Sequence, residues 1–322
     1  MYRIGIDLGG TNIAAGLCTS DYKIVEKASV PTLAKRDPEL IVKDMASLAE
    51  NLIKKHGLTK NDIEYVGIAS PGIVNSRTGV VEYSNNIRMH NFPLVELFKR
   101  YFGTNPVYIS NDANAAALGE ATAGCGKGAD SLVMITLGTG VGGGVIINGK
   151  IFEGGINCSG AELGHTVIVS NGRQCSCGRR GCWEAYSSAS ALARMTDEKI
   201  YELKLKGIPS LLIDESKREG HVTARTAFNA MKRGDKYASA LIDDYIYHLA
   251  DGITNMINIF QPEIICIGGG VCNEGETLMR PLCDIVSREQ YTRDAKLKSR
   301  LTVASLGNDA GIIGAAALGE KQ

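Results

Sequence analysis

The sequence predicts an α/β protein built from two related lobes, and three observations predict it. An apolar alternation runs into a glycine turn twice, as "IDLGGT" at 6–11 and as "ITLGTG" at 135–140. Each turn is followed by further strand-like runs, a long amphipathic helix and an apolar strand ending in glycine, "EYVGIASPG" at 64–72 and "EIICIGGGV" at 263–271. The length of 322 residues, 44% of them hydrophobic, suits one large domain or two ordinary ones with well-filled cores. A repeated α/β unit buries one face of its sheet under helices, so two copies make two lobes with a cleft between them.

Each element has a local reason. Ile4, Ile6 and Leu8 alternate with Arg3, Gly5 and Asp7, the period of a strand. Beyond the turn, "IAAGLC" and "KIVEKASVP" are strand-like runs around Ser20-Asp21. Ile41, Val42, Met45, Leu48, Ala49, Leu52 and Ile53 fall on one face of a helix that Gly57 ends. "SLVMITLGTGVGGGVIINGK" reads as strand, turn and strand, with Asn148-Gly149 as a hairpin turn. Leu241, Tyr245, Leu249, Ile253, Met256, Ile257 and Phe260 trace the stripe of a helix over about 236–260. Residues 197–235 are charged and irregular and are read as a helical surface elaboration of the second lobe, its charges in solvent. "GNDAGIIGAAALG" near the C-terminus is a helix of small residues suited to close packing on the first lobe or at the hinge. The expected lobes are 1–112 with 308–322, and 113–307 carrying the cysteine-rich segment and a helical elaboration over about 197–260.

Composition narrows the partners. Formal net charge is zero, so no global field recruits nucleic acid or an anionic membrane, and neither is expected as a partner. The N-terminal "MYRIGIDLGG" lacks the basic and apolar regions of a signal peptide, and no apolar run reaches membrane-span length. Cytoplasmic residence is the resulting expectation. Thiols stay reduced there, which favours metal ligation over disulfides for clustered cysteines. Cys175, Cys177 and Cys182 are such a cluster, with His165 ten residues upstream of the first. Three thiolates and an imidazole suit tetrahedral Zn²⁺ and close its shell; a disulfide, with Cys158 as a spare partner, and free thiols are the alternatives. The other six cysteines, Cys18, Cys125, Cys158, Cys266, Cys272 and Cys283, are scattered and read as small buried apolar residues.

The glycine turns point to phosphate. Residues 138–143 spell a formal G-x-G-x-x-G, but a dinucleotide fingerprint must open a helix, and "VIINGK" is a strand entering a hairpin. A Walker-type loop is also missing, because Gly126-Lys127 is followed by Gly128. Two glycine turns that each join antiparallel strands can present bare amides to the phosphates of one nucleotide, with Asp7 placed to hold the water shell of Mg²⁺. The bland alternative is a pair of ordinary hairpins.

"DLGGTN", "TLGTGVGGGVIING" and "IICIGGGV" resemble the two phosphate motifs and the adenosine motif of the sugar kinase–heat shock 70–actin superfamily. With "GAELGH" at 160–165 and "CSCGRRGCWE" at 175–184, the chain resembles the ROK family (repressors, open reading frames, kinases) over nearly its whole length. The resemblance implies two actin-like, ribonuclease H-like lobes with a central nucleotide and sugar cleft. It implies ATP with Mg²⁺ held by Asp7, Gly9, Gly10, Thr11, Asn12, Gly138, Thr139 and Gly140, with adenine near Gly268, Gly269 and Gly270. It also implies structural Zn²⁺ on His165, Cys175, Cys177 and Cys182.

Asp112, at the junction of "PVYIS" and an alanine-rich helix, reads locally as a helix cap. By resemblance it is the base that accepts the sugar hydroxyl proton. Asn86, Asn111, Asp112, Glu162, His165 and Glu184 stand at the family's sugar-binding positions, and Gly72 lets a hydroxyl reach the backbone. Many family glucokinases carry a tryptophan soon after the Asn86 position; here Arg88, Met89 and His90 follow, and the only Trp is Trp183. The implied activity is ATP-dependent phosphorylation of a hexose, glucose to glucose 6-phosphate first. N-acetylglucosamine, N-acetylmannosamine, mannose, allose and fructose are the alternatives. A sugar-sensing regulator of the family is the competing reading, but the first phosphate motif begins at Asp7 and leaves no room for an N-terminal DNA-binding domain. A homodimer or tetramer is expected.

Overall fold

The N-terminal alternation forms β1 (Tyr2–Leu8), β2 (Asn12–Cys18) and β3 (Ile24–Pro31), followed by α1 (Pro38–Lys55). β1, β2 and β3 pair antiparallel through tight connections. α1 opens on Asp37, whose side chain accepts the Glu39 amide, and is followed by Gly57 at φ +64°. Its predicted stripe is buried along its length. The chain continues through β4 (Ile63–Ser70), β5 (Ile73–Asn75), β6 (Val80–Ser84), β7 (Met89–Phe92), α2 (Leu94–Phe102), β8 (Val107–Asn111) and α3 (Asp112–Ala123). β9 (Leu132–Leu137), β10 (Val141–Ile147) and β11 (Lys150–Ile151) come next, with Asn148 and Gly149 both at positive φ as a type I′ hairpin turn requires.

The later elements are mostly helical: α4 (Glu184–Ser187), α5 (Ala189–Leu205), α6 (Leu211–Glu219), α7 (Ala224–Lys232) and α8 (Lys236–Phe260). β12 (Ile264–Gly268), α9 (Glu276–Glu289), β13 (Arg300–Val303) and α10 (Ala310–Lys321) complete the chain. This computed structural model describes residues 1–103 and 105–321. The chain divides into two units, Met1–Met134 with Gly143–Ala161 and Ala304–Gln322, and Ile135–Gly142 with Glu162–Val303.

The duplication read from short glycine-weighted matches is present in the sheets. One has the strand order β3-β2-β1-β4-β8 and the other β11-β10-β9-β12-β13, the same order once each strand is matched to its counterpart. In both, the glycine turn follows the middle strand, and the last two strands of the order run parallel. The three-stranded sheet β5-β6-β7, which the sequence reading does not include, has no counterpart among the described residues.

In the first unit the sheet packs under α1 on one face, where Ile4, Ile6, Leu8, Ile41, Val42 and Met45 are fully buried. Burying each such side chain contributes roughly 1.5–3 kcal/mol. The small-residue helix α10 lies on α3 and on β1 and β4. Its backbone comes so close that a Cβ at Gly5, Gly67 or Gly314 would overlap the carbonyls of Ile312, Ala315 or Ala115. The glycines of "GIIGAAALG" and of the two strands are therefore a docking surface.

In the second unit, residues 197–235 are helical as expected, lying in three helices of which the first begins at Ala189. Their charges are not all in solvent. Asp235 is buried; it caps α8 through the amides of Tyr237 and Ala238 and also accepts from Ser210 Oγ at 2.6 Å and the Leu211 amide at 2.7 Å. One carboxylate thus satisfies the free amides of two helix starts. Glu215 is fully buried and paired with Arg218 and Arg233. Trp183, also fully buried, packs on Gly252 of α8, where a Cβ would overlap the indole. Among the described residues, no helix is long and apolar enough to cross a membrane.

Candidate active site

The first glycine turn follows β1 and is braced from beneath. The Gly9 amide donates to the Asn12 carbonyl at 3.0 Å. Thr32, fully buried just after β3, donates its amide to the Thr11 carbonyl at 2.8 Å and its hydroxyl to the Gly9 carbonyl at 2.6 Å. Both turn carbonyls are thereby held inward, and Gly10, Thr11 and Asn12 are exposed. Thr32 was missed at the sequence level; its one signal is a polar residue directly after an alternating strand.

Asp7 stands just before this turn. Its carboxylate lies against the first turn of α10, where a Cβ at Gly311 would overlap Oδ2. Burial, and then the charge of Asp112, push its pKa up from 3.8 to about 6. The two acids therefore sense each other, though they lie far apart in sequence.

Asn111 settles the capping question. It is the N-cap of α3, its Oδ1 accepting from Ala113 at 2.9 Å and Asn114 at 3.2 Å, while Asp112 Oδ1 also accepts from Ala113 at 2.9 Å. The cap duty falls mainly on Asn111, and Asp112 stands on the first helical turn. Asn111 Nδ2 donates to the Gly72 carbonyl at 3.1 Å, and Gly72 has φ +102° with its Cα against the Tyr83 carbonyl. Glu153 was also missed; it accepts from Ser110 Oγ at 3.0 Å and Ser76 Oγ at 2.6 Å beside this group. Asn86 is exposed between β6 and β7, and a Cβ at Gly10 would meet its Cβ at 3.6 Å. Of the residues that follow, Met89 is in the core, while Arg88 and His90 are exposed, His90 edge-on to Tyr83.

The second glycine turn belongs to the second unit and is held differently. The Gly138 amide donates to the Gly140 carbonyl at 3.0 Å, and the Ala189 amide donates to the Gly138 carbonyl at 2.9 Å. Val141 donates its amide to Glu184 Oε2 at 3.1 Å. A Cβ on Gly140 would overlap that same carboxylate, and one on Gly164 would overlap the Val141 carbonyl. Gly140 is thus needed for the approach of Glu184, a reason the phosphate reading had not supplied. Gly269, at φ +102°, lies against the Leu137 carbonyl at the end of β9, which brings the Gly268–Gly270 segment beside this turn.

His165, Cys175, Cys177 and Cys182 do come together: one donor atom from each lies within 4.8 Å of the others. His165 Nδ1 is 3.7 Å from Cys175 Sγ, and Cys177 Sγ is 3.7 Å from Cys182 Sγ. Tetrahedral coordination with metal–sulfur bonds of about 2.3 Å places sulfurs about 3.8 Å apart, so the donor set fits a metal ion. The nine cysteines are all free thiols, and Cys158 is not in this cluster. The loop is shaped by its backbone, with the Cys175 amide donating to Arg179 at 2.9 Å and the Gly178 amide to Cys175 at 3.1 Å. Glu162 stands at the start of the short 3₁₀ turn that carries His165, its carbonyl accepting from the His165 amide at 3.1 Å, and it is exposed.

The ROK family model matches residues 3–322. A glucokinase of Halalkalibacterium halodurans is 37% identical over 322 residues, covering 100% of this chain and 96% of that protein. A glucokinase of Thermotoga maritima is 38% identical over 319 residues, covering 98% and 96%. A ROK family glucokinase from Streptomyces griseus, solved in complex with glucose and AMPPNP, superposes with a TM-score of 0.77 at 31% identity, covering 99% of each chain. Motifs, duplicated sheets and matches across the whole length agree: the chain belongs to the ROK family, whose sugar kinases have the actin-like two-lobed α/β fold.

Proposed function

We propose that this chain is an ATP-dependent sugar kinase that converts glucose to glucose 6-phosphate. The observation that carries the reading is the braced glycine turn with Asp7 just before it, in a chain that glucokinases match over nearly its whole length. Phosphoryl transfer from ATP needs one carboxylate for the metal that accompanies the phosphates and another for the attacking hydroxyl. Asp7 and Asp112 are of the right kind for these two tasks.

In this reading Asn86, Asn111, Asp112, Glu162, His165 and Glu184 hold the sugar hydroxyls, and Gly72 leaves the backbone open to one of them. Asn111 spends its Oδ1 on the helix start and its Nδ2 on Gly72, so it also fixes Asp112 next to it. Asp112 takes the proton of the hydroxyl as its oxygen attacks the γ-phosphorus, and the bond from that phosphorus to the β–γ bridging oxygen breaks to release ADP. Mg²⁺ bound with the nucleotide would neutralise phosphate charge, and Asp7 would hold its water shell. Gly9, Gly10, Thr11, Asn12, Gly138, Thr139 and Gly140 offer amides to the phosphates, with Gly268–Gly270 toward adenine. Zn²⁺ is the ion the three thiols and the imidazole suit, in a structural role because no ligand position stays open. A cytoplasmic homodimer or tetramer is the proposed setting.

The test is a panel of glucose, mannose, allose, fructose, N-acetylglucosamine and N-acetylmannosamine in a coupled ADP-release assay. Glucose is expected to give the highest kcat/KM. Another hexose in first place would reassign the substrate, and ADP release no faster with any sugar than without would overturn the kinase reading.

A further inference from the structure

The metal-binding segment and the second glycine turn share a residue. Glu184 lies two positions after Cys182 and opens α4. Its Oε2 accepts from the Val141 amide at 3.1 Å, and its Oε1 accepts from Ser176 Oγ at 3.0 Å, next to Cys175 Sγ at 3.6 Å. Gly140 has no Cβ and thereby leaves room for this carboxylate. On the other side, Gly164, the neighbour of His165, packs on the Val141 carbonyl. The residue that closes the turn is therefore gripped at its amide and at its carbonyl by segments whose ends are metal ligands.

We infer that Glu184 is a positioning residue for the nucleotide: it fixes the Gly138–Gly140 turn through Val141 and transmits the state of the His165–Cys182 metal cluster to that turn. The inference rests on the reading that this turn takes phosphate. A carboxylate is a strong acceptor for an amide, and its second oxygen is tied to the Ser176 hydroxyl. The link needs no sugar. It predicts that the metal cluster affects nucleotide affinity directly, whereas a cluster serving only sugar recognition leaves sugar-free nucleotide binding untouched.

The experiment measures binding of AMPPNP with Mg²⁺ by titration calorimetry in the absence of sugar. Four samples are compared: wild type with its metal content measured, wild type after chelation, Glu184→Ala and Glu184→Gln. Wild-type affinity should fall about tenfold in Glu184→Ala and after chelation, and stay within about threefold in Glu184→Gln, whose amide oxygen still accepts from Val141. Hydrogen exchange of the 138–142 peptide should speed up in Glu184→Ala and not in Glu184→Gln. Should Glu184→Ala fail to fold, Ser176→Ala replaces it; losing only the Oε1 donor, it should show a loss of about two- to threefold. Equal affinity in wild type and Glu184→Ala, or Ser176→Ala in its place, overturns the inference, as does tighter binding by the variant, which would mean that the carboxylate repels phosphate. Wild type that binds no AMPPNP would instead break the nucleotide reading itself.

Discussion

The two glycine turns look alike in sequence and are held in opposite ways. "DLGGT" is braced by one nearby residue, Thr32, buried at the end of the same three-stranded meander. "TLGTG" is braced by Glu184 and Gly164, which come from a segment more than twenty residues downstream that also carries His165, Cys175, Cys177 and Cys182. The first turn has acids beside it, Asp7 and Asp112, and the second has a group of one imidazole and three thiols that could hold a metal ion. A duplicated fold has thus kept one backbone device and given each copy a different support. The first turn is supported from within its own sheet, and the second from the segment that carries the cysteines.

Removing Asp112 should do the most damage, because it acts on chemistry and not on either brace. Asp112→Asn should lower kcat by about 10²–10⁴-fold while glucose binding, followed by calorimetry, stays measurable. The helix start should survive, since Asn111 carries the cap. Turnover near the wild-type value would take Asp112 out of the base role.

A smaller effect comes from unbracing the first turn. Thr32→Val keeps shape and the amide but deletes the hydroxyl and leaves the Gly9 carbonyl without that donor, at a cost of about 1–2 kcal/mol. Sugar-free AMPPNP affinity should drop by roughly tenfold. Chelation should not add to the loss any differently than in wild type, because Thr32 serves one turn and the cluster the other. A non-additive response would mean that the two turns are braced as a unit and that their supports are not independent.

Much of this was legible in the residues, and what was not has physical reasons. Period and punctuation gave the hairpins, α1, α8 and the type I′ turn, because those elements bury a stripe or need a positive φ. The strands β5 to β7 were not read, being three to five residues each with a mixed burial pattern. The charged stretch looked solvated because Asp235 and Glu215 are acids, yet both are buried where amides or guanidinium groups satisfy them. Among site residues, the cysteine cluster assembled as its spacing suggested. Thr32, Glu153 and the Glu184–Val141 bond went unseen because hydrogen bonds between segments leave no periodic trace. Gly140 shows the limit best: a glycine in a motif signals a close approach, but only coordinates say that the approaching group is Glu184.

The most delicate test concerns the acids beside the first turn. Asp7 has its pKa raised to about 6, first by burial and second by Asp112. Below about pH 6 the protonated form dominates in the folded protein, while the unfolded chain has already lost that proton down to about 4. Folding stability from this group is therefore highest in acid and declines as pH rises through 6. Binding of Mg²⁺–AMPPNP should run the other way, weakening as pH falls through 6, because a neutral carboxyl holds a metal's water shell poorly. Asp112→Asn removes the secondary cause and leaves burial, so the midpoint of that binding curve should move down without reaching the 3.8 of a free carboxyl. A midpoint unmoved by Asp112→Asn would show that Asp7 does not feel Asp112, and burial alone would account for its raised pKa.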